Sequence, residues 1–496
     1  MFTENSRGKF ILILSIGCAL LYVIFLQFIS PTFYDPDSYY HIVVSDFIRH
    51  YGLRYHFDWV QFSVFKSSFS DKDILPHILN LPFLFFTDNL VLAGKYAFVL
   101  YAGLFFWAYV VILRKYLPDS LAAAFLLLLL TSSSFTVYFL QLRPFTLANI
   151  FMIMGVYFLI KKRLLGIFVV SLFYTWSHIS FFTIIIFALV CEFLRSRFDR
   201  EFFIKNIYAA TAGVVVASLM HPNFPNNFLS FYLNGILVPL YNLSGTNIDF
   251  GGELIAFNTN TTLVANGALF AGINFVFWSS LGAKKKSTLA TAMWFAVLNM
   301  YLVLAFFGNR YWYPVNVLFF IFLASWLKDL VQGQNWGDFL RRFRVPIAAY
   351  GVIVLCFFTL SAGQTRKFID FASEKGSYLE RAGRLMAMVI PPGKTIYNSY
   401  WSDTPYFLCL NPRDKYIDVL DPIYMLWPFP REYALRKELS LGRADKPEVA
   451  INRIFKADYG YVHKFEPLYR QVRNSPKYFK IIYEDDESAV FELLNG

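Results

Sequence analysis

The chain has 496 residues, of which 57% are hydrophobic and 16% are charged, whereas soluble domains carry about 25% charged residues. This composition excludes an ordinary soluble protein and indicates a polytopic membrane protein. The net charge of +11 does not indicate a nucleic-acid partner, because the basic residues stand in short clusters between apolar runs, as membrane topology requires.

Apolar runs close to the length of a membrane crossing, about 20 residues, recur along the chain and predict about eleven transmembrane helices. They are Phe10–Ser30, Leu90–Leu113, Leu121–Leu140, Thr146–Ile160, Leu164–Ser177, Ile179–Leu194, Ile207–Met220, Leu263–Leu281, Leu289–Phe307, Val315–Leu327 and Val345–Ser361.

The basic clusters predict the orientation, since Lys and Arg are enriched in cytoplasmic loops. Arg7 and Lys9 place the N-terminus in the cytoplasm, and alternation places every basic cluster between helices on that side: Arg114-Lys115, Lys161 to Arg163, Arg195 to Arg200, Lys284 to Lys286 and Arg341 to Arg344. The opposite face then receives a first outer loop, 31–89, a late outer loop, 221–262, and the C-terminal residues. We therefore predict an integral membrane protein with an extracytoplasmic C-terminus, periplasmic if the host is Gram-negative.

The composition changes near residue 363, where charged residues become frequent and apolar runs shorten to strand length. Strands are predicted at Thr395–Asn398, Lys415–Val419, Gly460–His463, Phe479–Tyr483 and Ala489–Leu493, with helical spacing between them. Alternation of helix and strand is typical of a compact α/β domain. The predicted domains are thus 1–362, in the membrane, and 363–496, extracytoplasmic and α/β.

The first outer loop opens with a short stretch that concentrates acids, aromatics and a histidine, Tyr34 to His41. Asp35 and Asp37 are either catalytic acids or an acidic N-cap of the next helix. His41 follows Asp37 by one helical turn, which suits orienting that acid or binding phosphate; the alternative is a plain interfacial histidine. Tyr39–Tyr51 then has an apolar face at helical spacing and predicts an amphipathic helix in the membrane interface.

This stretch resembles the GT-C glycosyltransferases, above all the catalytic subunit of oligosaccharyltransferases and related bacterial transferases that use polyprenyl-phosphate sugars. Asp37-Ser38-Tyr39-Tyr40-His41 matches the family's motif after the first membrane helix, and Gly52 and Phe57-Asp58-Trp59 continue it. The resemblance implies a GT-C-like fold and inverting sugar transfer from a polyprenyl-phosphate or -diphosphate donor. It also implies that Asp37 is the catalytic carboxylate, Asp35 the second acid and Glu253 a counterpart, by position, of the external-loop glutamate.

Two departures bear on the acceptor. Oligosaccharyltransferases have a second acidic pair after the third span, where this chain has Gln141-Leu142-Arg143-Pro144. Their C-terminal Trp-Trp-Asp-Tyr-Gly signature is missing, and Tyr400-Trp401-Ser402-Asp403 resembles it only weakly. Transfer to asparagine sequons is therefore disfavoured, and the acceptor, whether lipid, glycan or protein, stays open.

The chemistry of an inverting transfer assigns the remaining candidates. It needs a base for the acceptor proton and a group that holds the departing phosphate. Asp37 is predicted as base or metal ligand, and Asp35, Asp37 and Glu253 as ligands of Mg²⁺ or Mn²⁺, if a metal is used. Glu253 has the alternative of binding the acceptor.

Further candidates for binding substrate or phosphate lie in the predicted outer segments. Arg143 and Arg310 are predicted phosphate clamps, with headgroup anchoring as the alternative. His178 and His221 stand at outer helix ends. Lys72 and His77 belong to a polar group with Asp71 and Asp73, for which a solvated turn is the alternative.

The predicted function is therefore a GT-C-type glycosyltransferase whose partners are a polyprenyl-linked donor, membrane lipids and an extracytoplasmic acceptor. A transporter or flippase for a lipid-linked or anionic solute is the alternative. Transporters usually show ionisable residues at mid-membrane, broken helices and inverted repeats. The apolar runs show almost none of these features, which argues against a transporter. A structural subunit of an envelope-polymer assembly is a third interpretation, which gives the acidic motif no role.

Overall fold

A computed structural model describes residues 4–245, 248–280, 287–331 and 335–494. The predicted basic cluster at Lys284 to Lys286 and the last residue of the run Leu263–Leu281 lie outside the described residues. The described part of the chain is mostly helical, with a small sheet near the C-terminus.

The α-helices up to the C-terminal segment are, in chain order, α1 (Glu4–Phe28), α2 (Pro36–Tyr51), α3 (Phe65–Ser68), α4 (Ile74–Asn80), α5 (Leu90–Leu113), α6 (Asp119–Leu129), α7 (Ser133–Phe139), α8 (Phe145–Ile160), α9 (Leu164–Ser177), α10 (Thr183–Phe198), α11 (Lys205–Leu219), α12 (Asn226–Phe231), α13 (Val238–Leu243), α14 (Thr259–Ala265), α15 (Gly267–Ser280), α16 (Leu289–Ala305), α17 (Trp312–Val331), α18 (Trp336–Arg342) and α19 (Arg344–Val389). The C-terminal segment adds α20 (Thr404–Leu410), α21 (Ile423–Leu426), α22 (Pro430–Ser440), α23 (Pro447–Val449) and α24 (Pro467–Asn474). Its strands are β1 (Thr395–Asn398), β2 (Lys415–Tyr416), β3 (Tyr459–His463), β4 (Phe479–Glu484) and β5 (Ser488–Leu493).

Each predicted apolar run is helical over most of its described length, which agrees with an integral membrane protein. Within the described residues, five helices are long and apolar enough to cross a membrane, or up to seven if each of two bent helix pairs is one crossing. Several others, such as α8 and α9, are shorter than a crossing. The count of about eleven crossings and the sidedness of the termini stay predictions.

Two predicted runs are broken helices rather than straight ones. The run Leu121–Leu140 is α6 followed by α7 at 81°, and the run from Leu263 is α14 followed by α15 at 79°. The first break occurs where Ser132 caps α7 by accepting a hydrogen bond from the backbone N–H of Phe135 at 3.2 Å. Ser132 Oγ also donates to the carbonyl of Ala265 at 2.9 Å, so the two breaks meet. The prediction that broken helices are nearly absent is wrong.

The chain forms two compact units. The helical unit comprises Met1–Ile29, Lys95–Met220 and Gly251–Ile369, and the loop-and-tail unit comprises Ser30–Gly94, His221–Phe250 and Asp370–Gly496. The loop-and-tail unit therefore joins the first outer loop, most of the late outer loop and the C-terminal segment, which the orientation analysis places on one side. The predicted domain boundary at 362/363 lies within α19 and stays a prediction.

The sheet of the loop-and-tail unit has five strands in the order β2-β1-β3-β5-β4. β1 pairs in parallel with β2 and β3, while β5 pairs antiparallel with β3 and β4. All five predicted strands are present, with ends shifted by up to three residues. Helices α22 and α24 cover a buried core that includes Leu439, Phe455 and Phe491, as an α/β layer requires.

The predicted amphipathic helix is α2, but its apolar face contacts protein rather than lipid. Tyr40, Val43, Val44 and Phe47 are at most 3% exposed, and α2 packs against α4 and α20. Burial of such a side chain contributes about 1.5–3 kcal/mol, so this face stabilises the loop-and-tail unit. Tyr51, the fifth residue of the predicted face, is 58% exposed. Protein therefore covers most of this face, and the position of α2 at the membrane interface stays a prediction.

Candidate active site

The acidic stretch forms the first turn of α2. Asp35 is its N-cap: Oδ2 accepts a hydrogen bond from the backbone N–H of Ser38 at 3.3 Å, and Oδ1 accepts one from Ser38 Oγ. Pro36 begins the helix, where a missing N–H costs nothing, and Asp37 follows, half-buried, where the helix dipole favours a carboxylate. The N-cap alternative is thus confirmed for Asp35. A catalytic role of either acid stays a prediction.

Two predicted site residues, His41 and His77, lie in one buried hydrogen-bonded chain. His77 Nδ1 is 2.6 Å from Asp71 Oδ2, and His77 Nε2 is 2.8 Å from His41 Nδ1. His41, His77 and Asp71 are at most 4% exposed. The alternative of a plain interfacial histidine is therefore wrong for His41, because its ring is buried and bonded.

The polar group around Asp71 is also buried. The alternative prediction, that this group is a solvated turn, is therefore wrong. Asp71 and Asp73 are each 2% exposed. Burial raises the pKa of Asp73 to about 6, although Lys72 and His77 act in the opposite direction. The positive charge of Lys72 therefore acts on the Asp73 carboxyl. The predicted contact of Lys72 with phosphate stays a prediction.

His221 joins the same region of the loop-and-tail unit. Its Nδ1 accepts a hydrogen bond from the backbone N–H of Asn223 at 3.1 Å, and Asn223 Oδ1 accepts one from the backbone N–H of Asp71 at 3.0 Å. Burial lowers the pKa of His221, while the nearby Asp71 carboxylate partly opposes this. The lowered pKa favours the neutral imidazole, and its hydrogen bond to Asn223 links it to the backbone of Asp71.

Within the helical unit, Arg143, Glu253 and Arg310 come together although 110 or more residues separate Arg143 from the other two. Arg143 Nη1 lies 2.5 Å from Glu253 Oε2, and Arg310 Nη1 lies 3.5 Å from Glu253 Oε1. Their side chains are 11%, 24% and 23% exposed for Arg143, Glu253 and Arg310. Arg143 also lies over the Phe145 ring, 5.2 Å from its centroid.

Asn309 explains why Glu253 meets Arg310. Its backbone N–H donates to the carbonyl of Ile255 at 3.1 Å, and its Nδ2 donates to the carbonyl of Gly252 at 2.9 Å. Gly251 has φ +91°, which a residue with a side chain rarely adopts. These contacts fix the turn that carries Glu253 against the start of α17.

His178 lies close to this cluster through Phe145. Its Nδ1 accepts a hydrogen bond from the backbone N–H of Ser180 at 3.2 Å, which caps a short 3₁₀ turn. Its ring centroid is 4.9 Å from that of Phe145, and the Phe145 ring also contacts Arg143 and Tyr138. A structural role is therefore evident, and phosphate binding by His178 stays a prediction.

Sequence analysis missed a further buried group, beside a cavity of about 380 Å³ lined by Asp403, His463, Tyr378 and Tyr400 among others. His463 Nε2 lies 2.7 Å from Asp403 Oδ2, and the backbone N–H of His463 donates to Glu466 Oε1 at 3.0 Å. Burial lowers the pKa of His463, but the Asp403 and Glu466 carboxylates act in the opposite direction, and the pKa is raised overall. Asp403 was part of the motif echo, yet nothing in the sequence links it to the end of β3.

No protein-family profile matches the chain, and no curated relative was found. Solved structures do resemble it. The Archaeoglobus fulgidus oligosaccharyltransferase in the apo form has a TM-score of 0.63 at 12% identity, over 93% of this chain and 70% of that one. The archaeal oligosaccharyltransferase AglB from the same organism, in complex with an inhibitory peptide and a dolichol-phosphate, has a TM-score of 0.61 at 10% identity, over 91% and 69%.

A third structure, ArnT from Cupriavidus metallidurans bound to undecaprenyl phosphate, has a TM-score of 0.59 at 13% identity and covers 97% of both chains. All three are GT-C glycosyltransferases. The chain has the GT-C fold. The resemblance seen in the motif after the first membrane helix is therefore confirmed at the level of the fold.

The GT-C fold raises the question of a divalent ion at the predicted ligands Asp35, Asp37 and Glu253. Among the described residues, no group of three or more His, Cys, Asp or Glu side chains is arranged to hold a metal ion. Asp35 is occupied as a helix cap, and Glu253 faces two guanidinium groups. The use of Mg²⁺ or Mn²⁺ therefore stays a prediction.

Proposed function

We propose that this GT-C protein is an inverting glycosyltransferase that moves a sugar or oligosaccharide from a polyprenyl-phosphate or -diphosphate donor to an extracytoplasmic acceptor. The GT-C fold supports a membrane transferase of this general kind. The solved relatives are described with dolichol-phosphate or undecaprenyl phosphate bound, which supports a lipid-linked phosphate as donor. The acceptor, whether lipid, glycan or protein, is part of the proposal.

The observation that carries the proposal is the Arg143–Glu253–Arg310 cluster. The three side chains sum to one positive charge, and each guanidinium offers five N–H donors. Besides facing Glu253, Arg143 Nη1 donates to Gln141 Oε1 at 3.3 Å and Arg310 Nη2 donates to the Tyr311 hydroxyl at 3.2 Å. Arginine forks match the geometry of phosphate oxygens. Because Glu253 holds both guanidinium groups in place, the cluster is suited to binding a phosphate without prior rearrangement.

The chemistry assigned to the residues is a direct displacement. The acceptor oxygen forms a bond to the anomeric carbon of the sugar while the bond from that carbon to the phosphate oxygen breaks. The electron pair of the broken bond stays on the phosphate, where Arg143 and Arg310 offset its charge. The acceptor proton passes to the Asp37 carboxylate, which acts as general base.

The test is sugar transfer by the full-length protein in lipid nanodiscs, with a panel of radiolabelled polyprenyl-phosphate and -diphosphate sugars and envelope lipids and glycans as acceptors. We expect Asp37→Asn to lose transfer by at least 100-fold, within the range for removal of a general base. Asp46→Asn is the matched control, since Asp46 lies on the same helix and pairs with Arg49 at 2.6 Å. Wild-type transfer by Asp37→Asn at normal expression would remove Asp37 from the mechanism.

A transporter or flippase is the second candidate, and the broken helices favour it. The α6–α7 and α14–α15 breaks meet at a buried polar group in which Asn316 Nδ2 donates to Asn266 Oδ1 at 2.8 Å, and discontinuous helices form substrate sites in transporters. Movement of a labelled lipid-linked sugar across proteoliposomes, with no covalent transfer, would replace the glycosyltransferase proposal with this one.

A further inference from the structure

The late outer loop contains a helix with an exposed apolar face. α12, a π-helical segment, Tyr232–Leu237, and α13 follow one another without a break from Asn226 to Leu243. Five apolar side chains on this helix, spaced four or three residues apart, are between 37% and 63% exposed: Phe228, Tyr232, Ile236, Leu240 and Leu243. Side chains at this spacing lie on one face of a helix, so these five residues form a continuous apolar stripe.

The opposite face of the same helix is buried within the loop-and-tail unit. Leu233, Asn234 and Val238 are buried, and Asn234 Nδ2 donates to the Tyr424 hydroxyl, in α21, at 2.6 Å. These contacts fix the helix on the rest of the unit. The stripe is therefore presented by a helix that is held in place, and it is not the inner face of a loose segment.

The sequence around this helix suits contact with lipid. Between His221 and Asp249 the chain has no Asp, Glu, Lys or Arg, although 16% of the whole chain is charged. The helix also follows directly on the predicted membrane crossing Ile207–Met220, whose last residues, Leu219 and Met220, are exposed. An amphipathic helix in this position buries its apolar face at the boundary between headgroups and acyl chains, which needs no charged partner.

A cationic cavity adjoins the start of this helix. Its volume is about 290 Å³, and its lining, among the described residues, includes Arg54, His56 and Lys66 but no carboxylate. Arg54 and Lys66 are exposed. Lys66 Nζ donates to Gln61 Oε1 at 2.9 Å, a neutral partner that leaves the ammonium charge in place. Arginine and lysine side chains both bind phosphate oxygens, so the cavity is suited to an anionic phosphate group.

The cavity and the stripe are continuous with each other. Phe224 and Asn226 line the cavity, and the Phe224 ring meets the Phe228 ring nearly edge-on, with 5.9 Å between their centroids. A ligand that occupied both surfaces would have an anionic head among basic side chains and an apolar tail along the helix. A phospholipid has this combination of groups.

We propose that this surface is a docking site for an anionic membrane phospholipid. The lipid phosphate binds in the cavity with Arg54 and Lys66, and the acyl chains lie along the stripe from Phe228 to Leu243. The helix thereby lies in the membrane interface and ties the loop-and-tail unit to the bilayer surface. This inference does not depend on sugar transfer, and each of its two parts has its own measurement.

The stripe is tested with the full-length protein in nanodiscs of phosphatidylcholine and phosphatidylglycerol, in which the phosphatidylglycerol carries a photoreactive diazirine on an acyl chain. After irradiation and proteolysis, mass spectrometry locates the labelled peptides. We expect labelling within 224–243 and little within 430–441, a stretch of the same unit whose exposed Leu441 is the internal control. No labelling of 224–243 would overturn the inference, as would an intact dimer that Leu240→Asn abolishes, because a second copy would then cover the stripe.

The cavity is tested by native mass spectrometry of protein released from nanodiscs that contain equal amounts of phosphatidylglycerol and phosphatidylcholine. We expect Arg54→Gln and Lys66→Gln each to lower the ratio of bound phosphatidylglycerol to phosphatidylcholine by about 5-fold, the usual contribution of one basic side chain near an anionic surface. Arg470→Gln is the matched control, because Arg470 is an exposed arginine of the same unit that does not line the cavity. Thermal unfolding of each sample checks that the variants fold.

Two results would contradict the role of the cavity. One is a ratio of bound lipids in the Arg54→Gln and Lys66→Gln variants that equals the ratio in the wild type and in Arg470→Gln. The other is displacement of phosphatidylglycerol by inorganic phosphate, which would assign the cavity to a free phosphate ion. Neither experiment measures sugar transfer, so a failure of the proposed function would leave both results, and this inference, unaffected.

Discussion

The cluster of Arg143, Glu253 and Arg310 allows a prediction whose size follows from its geometry. In Arg143→Gln, one guanidinium is lost, but Glu253 keeps Arg310 at 3.5 Å as a counter-charge. Removing one partner of a buried ion pair costs about 3–5 kcal/mol when it leaves the other charge uncompensated. Because Glu253 is not left uncompensated and is partly exposed, we expect a much smaller loss of stability, about 1 kcal/mol.

The effect on catalysis should be larger than the effect on folding. A hydrogen bond to a charged group contributes about 1.5–3 kcal/mol, which corresponds to a fall in kcat/KM of about 10- to 150-fold if Arg143 holds the departing phosphate. The kcat/KM of Arg143→Lys should lie between those of the wild type and Arg143→Gln, since lysine restores the charge but not the planar fork of N–H donors.

The assay is kcat/KM for sugar transfer by the full-length protein in nanodiscs, beside thermal unfolding of the same samples. Arg114→Gln is the matched control, because Arg114 also pairs with a carboxylate, Asp119 at 2.7 Å, but is 47% exposed. If Arg143→Gln keeps wild-type kcat/KM while it folds normally, or if Arg114→Gln loses as much, the phosphate-binding role is refuted.

Two further predictions concern charge. Glu253→Gln leaves both guanidinium groups without their shared carboxylate, so the product polyprenyl phosphate should inhibit more strongly while the unfolding temperature falls; an unchanged inhibition constant would argue against an anion site. Glu466 has a pKa raised from 4.5 to about 7 by burial, so its folded state binds the proton more tightly than its unfolded state. The free energy of opening around β3 should therefore fall by up to about 3 kcal/mol as pH rises from 4.5 to 7. Hydrogen exchange of β3, corrected for intrinsic rates, should show this fall. In Glu466→Gln, we expect only the smaller fall that the raised pKa of His463 contributes. An equal fall in both proteins would contradict the assignment of this pH dependence to Glu466.

Local sequence patterns determined much of this protein. The five strands, the helix α2 and the helical character of the apolar runs follow from alternation, helical spacing and apolar length, which act between residues a few positions apart. The short motif from Asp37 to His41, together with the many apolar runs and the predicted outward C-terminal domain, indicated the GT-C fold. The N-cap role of Asp35 was also among the alternatives, because capping needs only the next three residues.

Tertiary structure decided which turns meet and which faces are buried. No spacing rule links Arg143 to Glu253 or Asp71 to His41, because the segments between them set the approach of one turn to another. The sequence pattern of the apolar face of α2 is the same whether lipid or protein covers that face, since both are apolar. Only the tertiary structure shows that α2 packs against α4 and α20. For the same reason the polar group at Asp71, hydrophilic in sequence, became a buried chain of hydrogen bonds once α4 and α2 closed over it.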